Sequence, residues 1–291
     1  MFSGSIPALV TPFRDGNVDE VAFRRLVEWQ IEKGSSALVP CGTTGESATL
    51  SYDEHYRVID LCIEVADGRV PVIAGCGSND TATAVRHMAF SKKAGAAAAL
   101  VVAPYYNRPN QDGIYAHYAH LAETSDLAII VYNVPARTVT DIQPDTLAKL
   151  AKIPSIVGIK DASGAIARVT SHRLGCGADF LQLSGNDEMA LAFNAAGGRG
   201  CISVTANVAP KLCAEFQVAS LAGDRAKAHA LNEKLFALHL SLFTDASPGP
   251  VKYAMTRVVD WMTADVRLPM TMPNAQSRAA VDAALEVAGL I

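Results

Sequence analysis

Short apolar runs recur along the chain, and each is followed by a segment with helical periodicity. The runs are continuous rather than alternating, as expected for parallel strands that are buried on both faces. Eight runs have this character: IPALV (6–10), ALVP (37–40), PVIAG (71–75), ALVVA (99–103), AIIVY (128–132), IVGIK (156–160), FLQLS (180–184) and GCISV (200–204). Helical patterns fit residues 18–34, 52–66, 80–94, 113–124, 144–151, 164–174, 187–195 and 208–222. Asp19 is placed to cap the first helix.

This strict alternation predicts an α/β fold that closes as a (β/α)8 TIM barrel over residues 1–224. Residues 225–291 carry three more helical patterns (226–242, 249–262 and 275–289), separated by SPGP and LPMTMP, which predict a C-terminal three-helix appendage. An open doubly wound sheet would show the same alternation. The first strand is not followed by a G-x-G-x-x-G motif, which disfavours that alternative.

Size and charge narrow the class of protein. A chain of 291 residues suits one barrel with an extension, and half of its residues are hydrophobic. A net charge of -4 without any Lys/Arg run argues against a nucleic-acid or anionic-membrane partner and favours a small-molecule substrate. Six dispersed cysteines and the lack of a secretory leader predict a reduced, cytoplasmic protein. No apolar run is long enough to span a membrane.

The reactive side chains gather at the carboxyl ends of the predicted strands, where barrel enzymes form their active sites. Lys160 is the most informative of them, because it ends an apolar strand, and burial in an apolar setting lowers a lysine pKa toward the range of a nucleophilic amine. The remaining lysines fall on predicted helices or their ends, where a solvated side chain is expected. They are Lys33, Lys92, Lys93, Lys149, Lys152, Lys211, Lys227, Lys234 and Lys252.

Hydroxyl groups surround the predicted position of Lys160. Tyr132 ends the neighbouring strand, so its phenol can pass protons to and from the amine if a hydroxyl such as that of Thr43 or Tyr106 supports it. For Tyr105 we expect a rim position with a solvated hydroxyl.

The segment GTTGES (42–47) joins a strand to a helix, and its N–H groups and two hydroxyls suit a carboxylate. Taken alone, the segment is also compatible with an ordinary capped turn. Glu46 is expected to stabilise the first turn of that helix by its charge. His117 and His120 share a helix without a third ligand, so we expect no metal site.

Six segments together resemble the dihydrodipicolinate synthase family, which belongs to the N-acetylneuraminate lyase superfamily of Schiff-base aldolases. They are GTTGESATL (42–50), PYYNRP (104–109), YNVPART (132–138), GIKDASG (158–164), LSGND (183–187) and CISVTANVAP (201–210). The resemblance covers essentially the whole chain. The lysine and tyrosine are common to the superfamily, whereas the paired threonines, PYYN and the arginine of YNVPART point to the synthase family.

The resemblance implies a lysine Schiff base with pyruvate at Lys160 and no cofactor. It implies a proton relay of Tyr132, Thr43 and a Tyr106 that reaches in from a partner subunit of a homotetramer, a dimer of dimers. The implied substrate contacts are Thr44 for the pyruvate carboxylate, Arg137 for the carboxylate of L-aspartate 4-semialdehyde, and backbone groups of Gly185 and Ile202. The implied product is 4-hydroxy-tetrahydrodipicolinate, the entry to lysine and diaminopimelate biosynthesis.

The resemblance also implies an allosteric lysine site at the dimer interface, formed by Ser47, Ala48, His55, Asn79, Thr83 and Tyr105. A carboxylate usually meets the effector's ammonium group at the position that Thr83 occupies, so we expect weak feedback inhibition unless Glu46 or Asp80 compensates.

Two other functions fit the same scaffold. A sister lyase that splits a sugar acid would be expected to lack Arg137. A non-catalytic 2-oxo-acid sensor is possible because fold does not fix function, but the joint presence of Lys160, Tyr132, Thr43 and Tyr106 argues against it.

Overall fold

The computed structural model describes residues 2–291. Its strands are β1 (Gly4–Pro7), β2 (Phe13–Arg14), β3 (Asn17–Val18), β4 (Ile73–Gly75), β5 (Ala98–Val102), β6 (Ile129–Asn133), β7 (Ile156–Asp161), β8 (Leu181–Ser184) and β9 (Gly200–Ser203). Its α-helices are α1 (Glu20–Glu32), α2 (Tyr52–Ala66), α3 (Thr81–Ala94), α4 (Gln111–Thr124), α5 (Pro135–Thr138), α6 (Pro144–Leu150), α7 (Ala167–Cys176), α8 (Ala190–Ala195), α9 (Pro210–Ala222), α10 (Arg225–Ser241), α11 (Gly249–Val258) and α12 (Ala275–Ala288).

Backbone hydrogen bonds close the parallel sheet into a barrel. Within the described range, seven strands form one sheet in the order β1-β9-β8-β7-β6-β5-β4. Residues 37–40 lie between its two edges: Val39 N donates to Pro7 O on one side and Leu38 N donates to Pro71 O on the other, both at 3.0 Å. Closure confirms the predicted TIM barrel, and the alternative of an open doubly wound sheet is wrong.

The predicted elements are present, with ends shifted by a few residues. The second predicted strand is reduced to two bridges, because Pro40 has no N–H to donate and Cys41 turns the chain with a φ of 55°. The sequence patterns missed the β2–β3 hairpin and the short helix α5, which are too brief to show a period.

Side-chain caps fix where the first two long helices begin. Asp19 accepts a hydrogen bond from Ala22 N at 3.0 Å, as predicted. At α2, Ser51 Oγ accepts from Glu54 N and the Glu54 carboxylate accepts from Ser51 N, which forms a capping box. Because α2 follows the strand end at 37–40, this cap also fixes the end of the loop that carries the paired threonines.

Two clusters of buried side chains stabilise the barrel. One fills its interior and includes Ile6, Ile130 and Leu183. The larger one lies between the sheet and the helices and continues into the C-terminal extension through Leu235 and Val281. The extension therefore packs on the barrel through a shared apolar core, although α10 starts at Arg225, next to the boundary predicted at residue 224.

Residues 2–291 contain no helix that is long and apolar enough to cross a membrane. The same residues contain no group of three or more His, Cys, Asp or Glu side chains placed to hold a metal ion. All six cysteines are free thiols, and five of them are buried.

Arg267 ties the extension to the start of α2. Its guanidinium donates to both carboxylate oxygens of Glu54 at 2.5 and 2.8 Å and stacks over the ring of Phe13, 4.3 Å from the centroid. It also donates to Gly16 O and Thr49 O, at 2.7 and 3.0 Å. This one side chain joins the hairpin, the loop before α2 and the extension.

The Arg267–Glu54 contact predicts a pH dependence of stability. The hydrogen bonds from Arg267 are the main cause that lowers the pKa of Glu54 from 4.5 to about 2. A lowered pKa stabilises the fold above the unfolded value of 4.5, and this contribution is lost as the pH falls toward 2. Glu54→Gln should therefore lower the free energy of unfolding by about 1 kcal/mol at pH 7, and the difference should shrink below about pH 4.5 in urea titrations.

Glu286→Gln provides the matched control, because the Glu286 side chain is exposed and forms no ion pair within the described residues. This variant shows how much the loss of an exposed carboxylate alone changes the free energy of unfolding. A Glu54→Gln difference that stays constant from pH 7 to pH 3 would contradict the assigned role of the ion pair.

Candidate active site at the carboxyl ends of the strands

Lys160 and Tyr132 lie side by side inside the barrel. They are register partners on β7 and β6, and Lys160 Nζ is 4.1 Å from the centroid of the Tyr132 ring. Both side chains are buried, with exposed fractions of 6% and 7%. Among the described residues, the Lys160 amine has neither a hydrogen-bond partner nor a carboxylate within ion-pair distance. The structure therefore brings these two residues together at adjacent strand ends.

The wall next to Lys160 has room only for glycine. Gly185 follows β8, and its N–H donates to Asp161 O at 2.7 Å. A Cβ at this position would lie 3.1 Å from Lys160 Cε and 2.7 Å from Ala162 Cβ. Ile202, on β9, is buried in the barrel interior. The structure thus brings the predicted contacts Gly185 and Ile202 to the same interior as Lys160.

Residues 41–47, here called the threonine turn, follow the second predicted strand (37–40), and their backbone is strained. Cys41 and Glu46 both have a left-handed backbone, with φ of 55° and 54°. The N–H groups of Gly45, Glu46 and Ser47 donate within the turn. Those of Thr43 and Thr44 have no acceptor among residues 2–291, so they remain available to a ligand.

A cavity of about 520 Å³ opens beside this turn at the barrel mouth. Thr43 and Arg137 line it, together with most of the residues predicted for the allosteric site. Its lining consists of Thr43, Glu46, Ser47, Ala48, Thr49, Leu50, Tyr52, His55, Gly77, Ser78, Thr83, His87, Val102, Tyr105, Val134, Arg137, Thr138, Ser247, Pro248, Pro269 and Met270. Lys160 and Tyr132 are not part of this lining, and the cavity reaches Val102, the register partner of Tyr132 on β5.

Arg137 reaches the cavity from α5, a single turn that starts at Pro135. The backbone after it is strained, because the β-branched Val139 has a φ of 61°. The hydroxyl of Thr138 donates to Thr140 O at 2.7 Å and stabilises this turn. Arg137 is exposed and has no ion-pair partner within the described residues, which leaves its planar guanidinium free for a carboxylate.

Tyr106 does not join the other predicted relay residues within one chain. Its side chain is 90% exposed and its φ is 71°. Tyr105 is 36% exposed and borders the cavity, which agrees with the predicted rim position.

The part of the cavity lining that includes His55, Thr83 and His87, here called the outer lobe, contains a stacked pair of histidines. The rings of His55 and His87 lie 4.3 Å apart, and His55 Nε2 is 2.9 Å from Gly75 O. Burial lowers the pKa of His55, and burial with the nearby His55 and Arg86 lowers the pKa of His87 to about 4. Both rings are therefore neutral at neutral pH and bring no charge to this lobe.

Thr83 occupies the end of this lobe near the start of α3. Its hydroxyl donates to Asp80 Oδ2 at 2.6 Å and accepts from Arg86 Nη2 at 2.9 Å. Asp80 is engaged as the cap of α3, where it accepts from Thr83 N. Asn79, the remaining predicted member, is not part of the cavity lining and contributes its carbonyl oxygen to Asn107 at 2.8 Å.

A sequence model of the Dihydrodipicolinate synthetase family matches residues 1–288. The chain belongs to this family. A 4-hydroxy-tetrahydrodipicolinate synthase of Rhizorhabdus wittichii is 69% identical over 290 residues, which cover all of both chains.

Two solved structures of the family show the same fold. The dihydrodipicolinate synthase from Acinetobacter baumannii, solved in complex with pyruvate, is 44% identical and superposes with a TM-score of 0.97 over all of both chains. The family member from Cyanidioschyzon merolae, solved with lysine bound, is 34% identical with a TM-score of 0.96, covering 100% of this chain and 99% of that one.

Two expectations about charged residues are wrong. Lys252 is fully buried rather than solvated: Nζ lies 2.5 Å from Glu46 Oε1, donates to Asp265 O at 2.7 Å and sits 4.1 Å from the Phe13 ring centroid. Burial lowers the pKa of Lys252 to about 8. Glu46 is not in the first turn of α2, which starts at Tyr52. It precedes a single 3-10 turn (Ser47–Thr49), where its side chain makes no capping hydrogen bond, and its carboxylate is held by the extension.

The sequence pattern does not predict that part of the extension borders the cavity. Ser247, Pro248, Pro269 and Met270 line it. They belong to the SPGP and LPMTMP segments, for which the sequence pattern predicts only breaks between helices. Proline-rich breaks that lie near a strand-end loop in space have no local sequence signature, so only the tertiary structure reveals them.

Proposed function

We propose that this chain condenses pyruvate with L-aspartate 4-semialdehyde through a Schiff base on Lys160, forming 4-hydroxy-tetrahydrodipicolinate for lysine and diaminopimelate biosynthesis. One observation carries the proposal: a buried amine without an ionic partner lies against the Tyr132 ring at the carboxyl ends of the strands, in a chain of this family. An amine in that setting can act as a nucleophile without first breaking an ion pair.

The chemistry follows from this placement. The Lys160 amine attacks the ketone carbon of pyruvate, and loss of water from the carbinolamine gives the imine. Loss of a methyl proton gives an enamine, whose carbon attacks the aldehyde carbon of the second substrate. The amino group of that substrate then displaces Lys160 and closes the ring. Each step moves a proton, and we assign the transfers to Tyr132 supported by Thr43.

The two substrate carboxylates have separate sites in this proposal. The free N–H groups of Thr43 and Thr44 suit the pyruvate carboxylate, because they lie in a turn close to the barrel interior. Arg137 suits the carboxylate of the aldehyde substrate, because it lines the cavity from the outer side and offers a bidentate fork.

The exposed Tyr106 leads us to propose a homotetramer, a dimer of dimers, in which this residue completes the relay of a partner subunit. The 90% exposure and the left-handed backbone of Tyr106 support this assignment. We further propose a cytoplasmic location and no partner beyond the substrates and other copies of the chain. The lysine amine performs the covalent step, so the scheme needs no cofactor.

Imine formation is tested by trapping. Pyruvate with sodium borohydride should inactivate the protein and leave a reduced adduct on the peptide that contains Lys160, because reduction converts the imine into a stable secondary amine. Peptide mass spectrometry identifies the modified lysine. Modification of an exposed lysine such as Lys149, or full activity after treatment, would overturn the proposal.

Gly185→Ala tests whether trapping depends on the observed geometry. The added Cβ would press on Lys160 Cε, and a misplacement of about 1 Å can cost about 100-fold in rate. We expect trapping to slow at least about tenfold. Gly175→Ala is the matched control, since its Cβ would crowd only Ala148, at 3.2 Å. A sensor that only binds 2-oxo acids would show no trapping in any variant.

Arg137→Ala should separate the two substrates. We expect the half-saturating concentration of aspartate semialdehyde to rise about 10- to 100-fold, because a charge-assisted bidentate contact is lost. The pyruvate concentration for half-maximal trapping should stay within about twofold. Steady-state kinetics with each substrate varied in turn provides the measurement. Equal changes for both substrates would place Arg137 at the pyruvate site, and a sister lyase would not respond to the semialdehyde.

We expect weak feedback inhibition by L-lysine because the outer lobe has no free carboxylate at Thr83. The two carboxylates that could replace the missing acid at Thr83 are already engaged, Asp80 as a helix cap and Glu46 with Lys252. A hydrogen bond to a charged group contributes about 1.5–3 kcal/mol, so we expect lysine to inhibit roughly one to two orders of magnitude more weakly than in members with the acid. Titration of lysine into the synthase assay measures this.

Restoring the acid should restore the inhibition. Arg86 donates to the Thr83 hydroxyl and would pair with a new carboxylate, so the informative variant combines Thr83→Glu with Arg86→Ala. Arg86→Ala alone is its control. Half-inhibition of the unmodified protein well below millimolar would show that the lobe binds lysine without an acid at position 83.

A further inference from the structure

Lys252 and Glu46 form a buried ion pair outside the reaction centre. Lys252 lies on α11 of the extension, Glu46 lies in the threonine turn, and their side chains are 0% and 3% exposed. The second carboxylate oxygen of Glu46 accepts from Arg267 N at 3.0 Å. Both oxygens of this carboxylate are therefore held by the extension, although the residue belongs to a barrel loop.

The rest of the pocket around the pair is also built to hold it. The Lys252 ammonium lies 4.1 Å and the Arg267 guanidinium 4.3 Å from the centroid of the Phe13 ring. Lys252 donates to Asp265 O, and Thr263 donates to Phe13 O. The extension thus contacts both the hairpin and the threonine turn through one connected polar network. Within this network the ammonium of Lys252 is fully buried.

Stability alone does not account for such a pair. Removing two charges from water costs several kcal/mol per ion, and apolar residues of similar volume often stabilise a fold as well or better. Buried ionic groups can instead select one geometry, because their contacts tolerate little displacement. Glu46 is a residue where geometry matters: it is strained at a φ of 54° and its N–H donates to Thr43 O at 3.1 Å.

We propose that Lys252 and Glu46 are positioning residues that hold the threonine turn in its pyruvate-binding conformation, so that the C-terminal extension sets the affinity for the 2-oxo acid. The anchored Glu46 carboxylate fixes the position of the end of the threonine turn. This in turn fixes the positions of the free N–H groups of Thr43 and Thr44. This inference rests on the proposed function, since it assigns the pyruvate carboxylate to those groups. Neither Lys252 nor Glu46 touches the reacting atoms.

The test replaces the pair by two unbranched apolar side chains, Lys252→Met with Glu46→Met, which leaves no unpaired charge behind. The readout is the pyruvate concentration that gives half-maximal borohydride trapping of Lys160. We expect it to rise about tenfold or more, because hydrogen bonds to a charged group are weakened when their donors are displaced. The half-saturating concentration of the aldehyde substrate should change less than about twofold, since Arg137 lies on a different loop.

Arg257→Met with Asp282→Met is the matched control. This pair links α11 to α12 at 2.9 Å and does not contact the threonine turn, so pyruvate trapping should be unchanged. Glu46→Gln keeps the side-chain volume and remains informative if the double methionine variant fails to fold. It should raise the half-maximal pyruvate concentration severalfold.

The outcomes separate the two proposals. A wild-type protein that is not trapped at Lys160 overturns the proposed function. Normal trapping of the wild type, with unchanged pyruvate dependence in a folded Lys252/Glu46 double variant or in Glu46→Gln, overturns only the positioning role. A shift of equal size for both substrates would show a general structural effect and would also overturn it.

Discussion

The ladder of parallel backbone hydrogen bonds that closes the barrel determines where every reactive group of this protein lies. Register between β6 and β7 places Tyr132 opposite Lys160, and register between β7 and β8 brings Gly185 against the lysine stem. A shift of one residue would turn the Lys160 side chain from the barrel interior to the helix layer, because side chains alternate along a strand. The chemistry therefore depends on closure first.

Closure of the barrel is accompanied by backbone strain at its mouth, where the loops leave the strands at sharp angles. Cys41, Glu46, Tyr106 and Val139 all have left-handed backbones without being glycine. Such conformations persist only when surrounding contacts hold them. Beside Val139, the Thr138 hydroxyl donates to Thr140 O within the same turn, and the Thr140 hydroxyl donates to Pro104 O on another loop. For Glu46 the contacts come from the C-terminal extension instead.

Sequence patterns predicted the alternating strands and helices of the barrel. Apolar runs located the strands, and the strand ends located Lys160 and Tyr132, because periodicity and chain order suffice for both. The hairpin containing Phe13, the single turn of α5 and the buried state of Lys252 could not be predicted in this way. The hairpin and α5 are too brief to show a period. The buried state of Lys252 depends on its contact with Glu46, which lies 206 positions earlier in the chain. A lysine on an amphipathic helix carries no local sign that its charge is neutralised elsewhere.

The two buried lysines show how the fold assigns different tasks to the same side chain. Lys252 meets a carboxylate, a carbonyl oxygen and an aromatic ring, so its ammonium is held as a fixed cation. Lys160 meets the ring of Tyr132 and, among the described residues, no carboxylate within ion-pair distance. An amine that already holds a carboxylate and a carbonyl oxygen must give up those contacts before it can attack a carbonyl carbon. Burial alone therefore does not mark the reactive amine. Lys252 is occupied by a carboxylate and a carbonyl oxygen, whereas Lys160 has no such contact among the described residues and can meet a substrate.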